Sequence, residues 1–159
     1  MNTSRQAGFT LIELVIVSVI VAVLATLVAM TYSGVQSTNR NRDRQSHIKS
    51  LQSHLETYYA QNDTYPTFDN LADASWRKAN LKKMNSEELR DPSWNADISQ
   101  CTKDGAAIAA SNPIEKCYSY QVTSADGSAC DNDKTPCAQY TLTAILEGSN
   151  DKYVKSSLN

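Results

Sequence analysis

The sequence predicts an α+β protein: a long N-terminal helix, membrane-spanning over its first half, packed over its second half against a small antiparallel β-sheet. Three observations carry that prediction. An apolar run extends from Phe9 to about Tyr32 with Glu13 as its one charged side chain and no Gly or Pro. A helical stripe, Ile48, Leu51, Leu55 and Tyr58 or Tyr59, continues beyond it in steps of three and four. Near the C-terminus three segments alternate apolar and polar residues with the period of strands.

The apolar run is built from Val, Ile, Leu and Ala and lacks the polar stripe of a surface helix. About 24 residues at 1.5 Å each reach roughly 36 Å, against a hydrocarbon core of about 30 Å. A membrane helix follows. Glu13 is the anomaly, since a carboxylate within a membrane helix is costly, less so near its end than at its centre. Reach to the headgroups is one answer; a partner that neutralises the charge is the other.

The residues before the run are short and polar, Met1 to Gly8, with Arg5 as the one base. They do not form a conventional secretory signal, and no small-residue cleavage site follows the apolar stretch. Gly8-Phe9-Thr10-Leu11-Ile12-Glu13, behind such a leader, resembles the processing site of type IV pilins and of type 2 secretion pseudopilins. The resemblance implies cleavage by a membrane peptidase between Gly8 and Phe9, N-methylation of Phe9, and pairing of Glu13 with a neighbouring subunit's terminal amine. It implies no enzyme, but a subunit of a homo-oligomeric helical filament, held in the membrane before an assembly machinery extracts it to the cell surface. Many such pilins carry a Gly and a Pro within the membrane helix. This sequence has Ala22 and Met30 at the matching places, which favour unbroken helix.

Beyond the span, Arg40-Asn41-Arg42-Asp43-Arg44 is more basic than the leader, and the positive-inside rule alone would put the following residues in the cytoplasm. The leader motif and four cysteines, all after residue 100, argue for an oxidising exterior instead. The basic cluster is then expected to be solvated or paired with acidic residues of adjacent subunits. The helix is expected to end at Asn62-Asp63-Thr64-Tyr65-Pro66, because Pro66 disfavours helix at Tyr65 and cannot extend the ladder itself. The domain organisation expected is therefore a leader over 1–8, a membrane or filament-core helix over 9–34 and a globular head over 35–159.

Residues 67–116 read as an irregular connection. Asp69 is the expected cap of a short helix reaching about Lys83, with Leu71, Trp76 and Leu81 buried. Pro92 and Pro113 bound loops, and Trp94 is expected to plug the core. The strands are Tyr118-Ser119-Tyr120-Gln121-Val122, Tyr140 to Leu146, and Tyr153-Val154-Lys155. Ser124-Ala125-Asp126-Gly127 and Gly148-Ser149-Asn150-Asp151 turn the chain between them. The helix end, with Asp91-Pro92 ahead of Tyr118-Ser119-Tyr120, also resembles pilins and major pseudopilins.

Cys101, Cys117, Cys130 and Cys137 lack the paired close spacing of a zinc ribbon. Three disulfide connectivities are open; the favoured one joins Cys101 to Cys117 and Cys130 to Cys137. Asp126, Asp131 and Asp133 crowd one loop. They could bind calcium, as the resemblance to major pseudopilins implies, or form a soluble polar turn. Lys78, Lys82 and Lys83 could make a basic patch for DNA, as in a DNA-uptake pilin. Glu87, Glu88 and Asp91 nearby favour a solvated mixed face. His47 and His54 lie two turns apart, about 10.5 Å, too far to share one metal, and read as surface residues. No histidine is left in the globular part for a nucleophilic triad, and no phosphate loop occurs. A net charge of −2 leaves no overall basic footprint. The reading is a type IV pilus-like structural subunit. Its alternatives are a major pseudopilin of a type 2 secretion system and, from another class, a membrane-anchored extracellular binding domain.

Overall fold

The computed structural model describes residues 8–94, 101, 108–110, 113–149 and 151–159. Two units are compact, Met1–Ser37 and Thr38–Asn159. Helix α1 runs from Leu11 to Asn62, beginning in the first unit and ending in the second.

In the first unit, α1 starts behind Thr10, whose hydroxyl accepts the Glu13 N–H at 3.3 Å. Thr10-Leu11-Ile12-Glu13 thus starts a helix with an N-cap and an acid in the first turn, where the helix dipole favours negative charge. Large apolar side chains from Phe9 to Val28 are all at least about half exposed, from 49% at Val15 to 84% at Leu11. Ser18 and Thr26 donate to the carbonyls of Val15 and Val23 at 2.8 and 2.7 Å. Both hydroxyls are therefore satisfied within the helix, as a dry environment demands.

In the second unit the rest of α1 buries Ile48, Leu51 and Leu55 against the sheet and loops. The helix ends in the left-handed turn that closes many helices. Asp63 has φ 55°, and its N–H donates to the Tyr59 carbonyl at 2.8 Å. Two short helices follow in place of the one expected, α2 (Phe68–Ala72) and α3 (Ala74–Asn80). Thr67 caps the first and Asp73 caps the second, through the N–H groups of Ser75 and Trp76. Asp69 lies inside the first turn of α2 and caps neither. Leu71 and Leu81 are buried, and Trp76 is half-buried against Tyr58. A 3-10 turn, Ser86–Leu89, completes this region.

The sheet has four strands in sequence order, β1 (Ile108–Ala109), β2 (Tyr118–Thr123), β3 (Gln139–Ile145) and β4 (Lys152–Ser156). Strands β2, β3 and β4 pair antiparallel, with Tyr120 opposite Leu142 and Thr143 opposite Val154. To these the structure adds β1, two residues long and parallel to β2, so the sheet is mixed. Both connecting turns use glycine in the left-handed region, Gly127 at φ 82° and Gly148 at φ 92°. Tyr118, Tyr120, Tyr140 and Leu142 face the core shared with α1. Trp94 does not plug it. Its ring is half-buried beneath the Arg90 guanidinium at 4.7 Å, a cation–π contact.

Candidate functional site

At the N-terminal motif, Gly8 and Phe9 are exposed. A Cβ on Gly8 would meet no atom within 4 Å, so the chain's own packing does not require glycine there. Glu13 is exposed, and its carboxylate has no partner among the described residues. Thr10 was not singled out from the sequence, although the Thr-x-x-Glu spacing at a helix start was there to be seen. The first unit thus offers a capped helix with an apolar surface on every side and one free carboxylate at its beginning.

The second unit is held by three polar clamps. In the first, Arg44 is 1% exposed and donates from Nε and Nη2 to Asp91 at 2.6 and 2.8 Å. It also reaches Glu147 at 2.6 Å, and Arg40 pairs with the same Glu147. The expectation of solvation or intersubunit pairing is corrected here for Arg40 and Arg44: their acids are in their own chain. Arg42 is exposed. Hydrogen bonds from Arg40, and then from Arg44 and Ser93, hold the Glu147 carboxyl at about 2. Glu147 opens the β3–β4 turn, so the clamp joins α1, the 91–93 loop and the sheet.

The second clamp is Glu56, which no sequence signal marked. It accepts the hydroxyls of Tyr140 and Tyr65 at 2.7 and 2.9 Å and the Leu158 N–H at 3.2 Å. Gln52 reaches the Ser156 carbonyl at 2.8 Å beside it, and the C-terminal segment is fixed along α1. Burial, then the hydrogen bond to Glu56, pushes the Tyr65 hydroxyl up to about 12; the Asn159 amide works against this.

The third clamp is the 130–137 loop. Cys130 is bonded to Cys137, and Cys101 to Cys117. Asn132, at φ 64°, accepts the Cys137 N–H at 2.7 Å and donates to the Tyr65 carbonyl at 2.7 Å. Asp131 accepts the N–H groups of Asp133, Lys134 and Thr135. Asp126 is held at about 2 by the Ser124 hydroxyl and then by Ser128. Each of these carboxylates thus caps its own turn. Asp126, Asp131 and Asp133 are not brought together, and among the described residues no group of three His, Cys, Asp or Glu could hold a metal ion.

The histidines are less free than expected. His47 is half-buried with Nδ1 3.0 Å from the Tyr118 hydroxyl, and His54 pairs with Glu88 at 3.3 Å. The acids expected to balance Lys78, Lys82 and Lys83 are likewise committed elsewhere, Glu88 to His54, Glu87 to Arg90 and Asp91 to Arg44.

A long apolar-headed helix followed by a small sheet clamped onto its second half is an α+β, pilin-like layout. The chain carries the prokaryotic N-terminal methylation motif, matched over residues 3–29. It is similar to type II secretion system core protein G of Aeromonas hydrophila, 36% identical over 74 residues, 46% of this chain and 52% of that protein. The protein of the same name from Escherichia coli K12 is 38% identical over 65 residues, 41% of this chain and 45% of that one. Type IV major pilin protein PilA of Myxococcus xanthus is 30% identical over 66 residues, 42% of this chain and 30% of that one. The chain spans about half, or less, of the length of these curated relatives. No solved structure matches.

Proposed function

We propose that this chain is a structural subunit of a type IV pilus-like filament, with no catalytic role. Residues 1–8 would be a leader, 9–34 the filament-core helix and 35–159 the head. A membrane peptidase would cut after Gly8, Phe9 would be methylated, and Glu13 would pair with a neighbour's new terminal amine. The observation that carries this reading is the exposed apolar surface of α1 within the segment that matches the methylation motif. Such a surface is stable in a bilayer or against other copies of itself, where burial is worth about 25 cal/mol per Å². Placing Glu13 opposite an amine would also remove the cost of a lone carboxylate in an apolar environment.

N-terminal sequencing of sheared fibres tests the proposal. N-methyl-Phe9 is expected, and Met1 at the terminus of fibre-derived protein would overturn it, leaving a membrane-anchored extracellular domain as the better account. A second reading, a major pseudopilin of a type 2 secretion system, is favoured by the names of the Aeromonas and Escherichia relatives. Imaging separates the two: long surface fibres built mainly of this chain support a pilus, and short periplasmic assemblies a pseudopilus.

A further inference from the structure

The face of α3 and the segment after it is unusual in its charge. Lys78 and Lys82 line a groove of about 220 Å³ with Leu81, Met84 and Ser86. Lys78, Lys82 and Lys83 are exposed and form no ion pair among the described residues. The carboxylates around them are taken. Asp73 caps α3, Glu87 faces Arg90 and Glu88 faces His54, which leaves Asp69 on α2 against three lysines. This groove is therefore a locally uncompensated cationic surface with an apolar floor.

The same chain offers a complementary group. Within the disulfide-closed 130–137 loop, Asp131 turns its carboxylate onto the loop's own amides, and Asn132 ties the loop to Tyr65. Asp133, between Asn132 and Lys134, is exposed and its carboxylate has no partner among the described residues. It is a carboxylate held out on a fixed loop, so little side-chain and loop entropy is lost when it is bound. Groove and loop are different surfaces, and a contact between them joins copies head to tail. A heterologous contact that does not close into a ring propagates as a helix.

We infer that the groove lined by Lys78 and Lys82 receives Asp133 from a neighbouring copy. The inference rests on the filament reading and adds a contact between heads to the one made by the apolar helices. It is tested on sheared fibres of the full chain with a zero-length carbodiimide, which joins a lysine amine to a carboxylate with loss of water. Peptides linking Lys78 or Lys82 to Asp133 are expected, absent from the detergent-dispersed subunit. Lys78→Glu with Lys82→Glu should lower fibre yield at least about tenfold, because like charges would then be set against each other. Adding Asp133→Lys to that double variant should restore it. Fibres that form normally without the cross-link, or a reversal that does not rescue, would overturn the contact while leaving the filament reading intact. So would lysines that become shielded from acetylation only when anionic vesicles are added. Absence of any fibre containing the chain would overturn the filament reading itself, and the contact with it.

Discussion

Arg44 and Asp91 form a two-pronged ion pair in which both side chains are almost sealed from solvent, at 1% and 2% exposure. The pair joins residues 47 positions apart, and a third group, Glu147, reaches the same guanidinium. Asp91 also accepts the Ser93 N–H at 2.8 Å. Removing one member of a buried pair leaves its partner charged and unmatched, at a cost of about 3–5 kcal/mol. Asp91→Ala should therefore lower the stability of the second unit by about 3 kcal/mol, since Glu147 retains part of the match. Glu87→Ala, which removes an exposed pair with Arg90, should cost no more than about 1 kcal/mol. Urea unfolding of the detergent-dispersed protein, followed by tyrosine and tryptophan fluorescence, measures both, and equal losses would deny Arg44 its role.

Glu147 makes the same clamp sensitive to acid. Its carboxyl is held at about 2, mainly by Arg40, against an ordinary value of 4.5. A depressed carboxylate contributes stability that is full above the unfolded value and is lost as pH falls through the folded one. The window is thus from about pH 4.5 down to about 2. Glu147→Gln should be less stable than the parent at pH 6, and the gap should close as the pH falls through that window. Asp126 and Asp131, also lowered, titrate in both proteins and cancel from the difference. A gap that stays constant from pH 6 to 2 would count against the assignment.

Glu13→Ala is expected to separate membrane insertion from assembly. The substitution removes a charge from an apolar helix and so should leave insertion intact or improve it. It also removes the one charged group of the Phe9–Thr31 stretch, the proposed partner of a neighbour's amine. The readout is membrane content against fibre yield in cells with this variant alone. Normal yield would refute the pairing.

What the sequence made legible follows the range of the interactions involved. The apolar helix, the stripe Ile48, Leu51, Leu55 and the three long strands depend on composition or periodicity within a segment, and the eye can follow it. The helix end at Asn62 was legible because Pro66 excludes helix locally. The cap of α2 was misplaced because Thr67 and Asp69 are both plausible cap residues two positions apart, and the break at Asp73 has no Pro or Gly to mark it. Strand β1 is two residues long and is defined only by its pairing with Tyr118 and Ser119. Arg44 was misread because arginine is rarely buried, and its partners come from 47 and 103 residues away. Glu56 gave no signal at all: it is one acid on a helix face, and its tyrosine partners come from beyond the helix end and from β3.

The continuity of α1 supplies the last prediction. From Leu11 to Asn62 the helix has no break, and its first interior glycine is Gly34. Melting within the apolar part would leave amide groups without partners, at several kcal/mol each in a dry core. The β-branched residues there lower helix propensity only by tenths of a kcal/mol each, which is too little to offset that cost. Ser18 and Thr26, which could compete for backbone groups, bond back to carbonyls three residues earlier and leave the helix in place. Gly34 has open space around it, and Ser37 bonds to its carbonyl at 3.0 Å. It is the first position where the helix can loosen cheaply, by about 1 kcal/mol relative to alanine. The assembled filament should therefore keep continuous helix through Ala22 and Met30 to about Tyr32, with any bend at Ser33-Gly34. Gly34→Ala should stiffen that point and leave the apolar part unchanged. A density map of the filament decides the matter: extended chain between Ala22 and Met30 would mean that subunit packing overrides the local preference for helix.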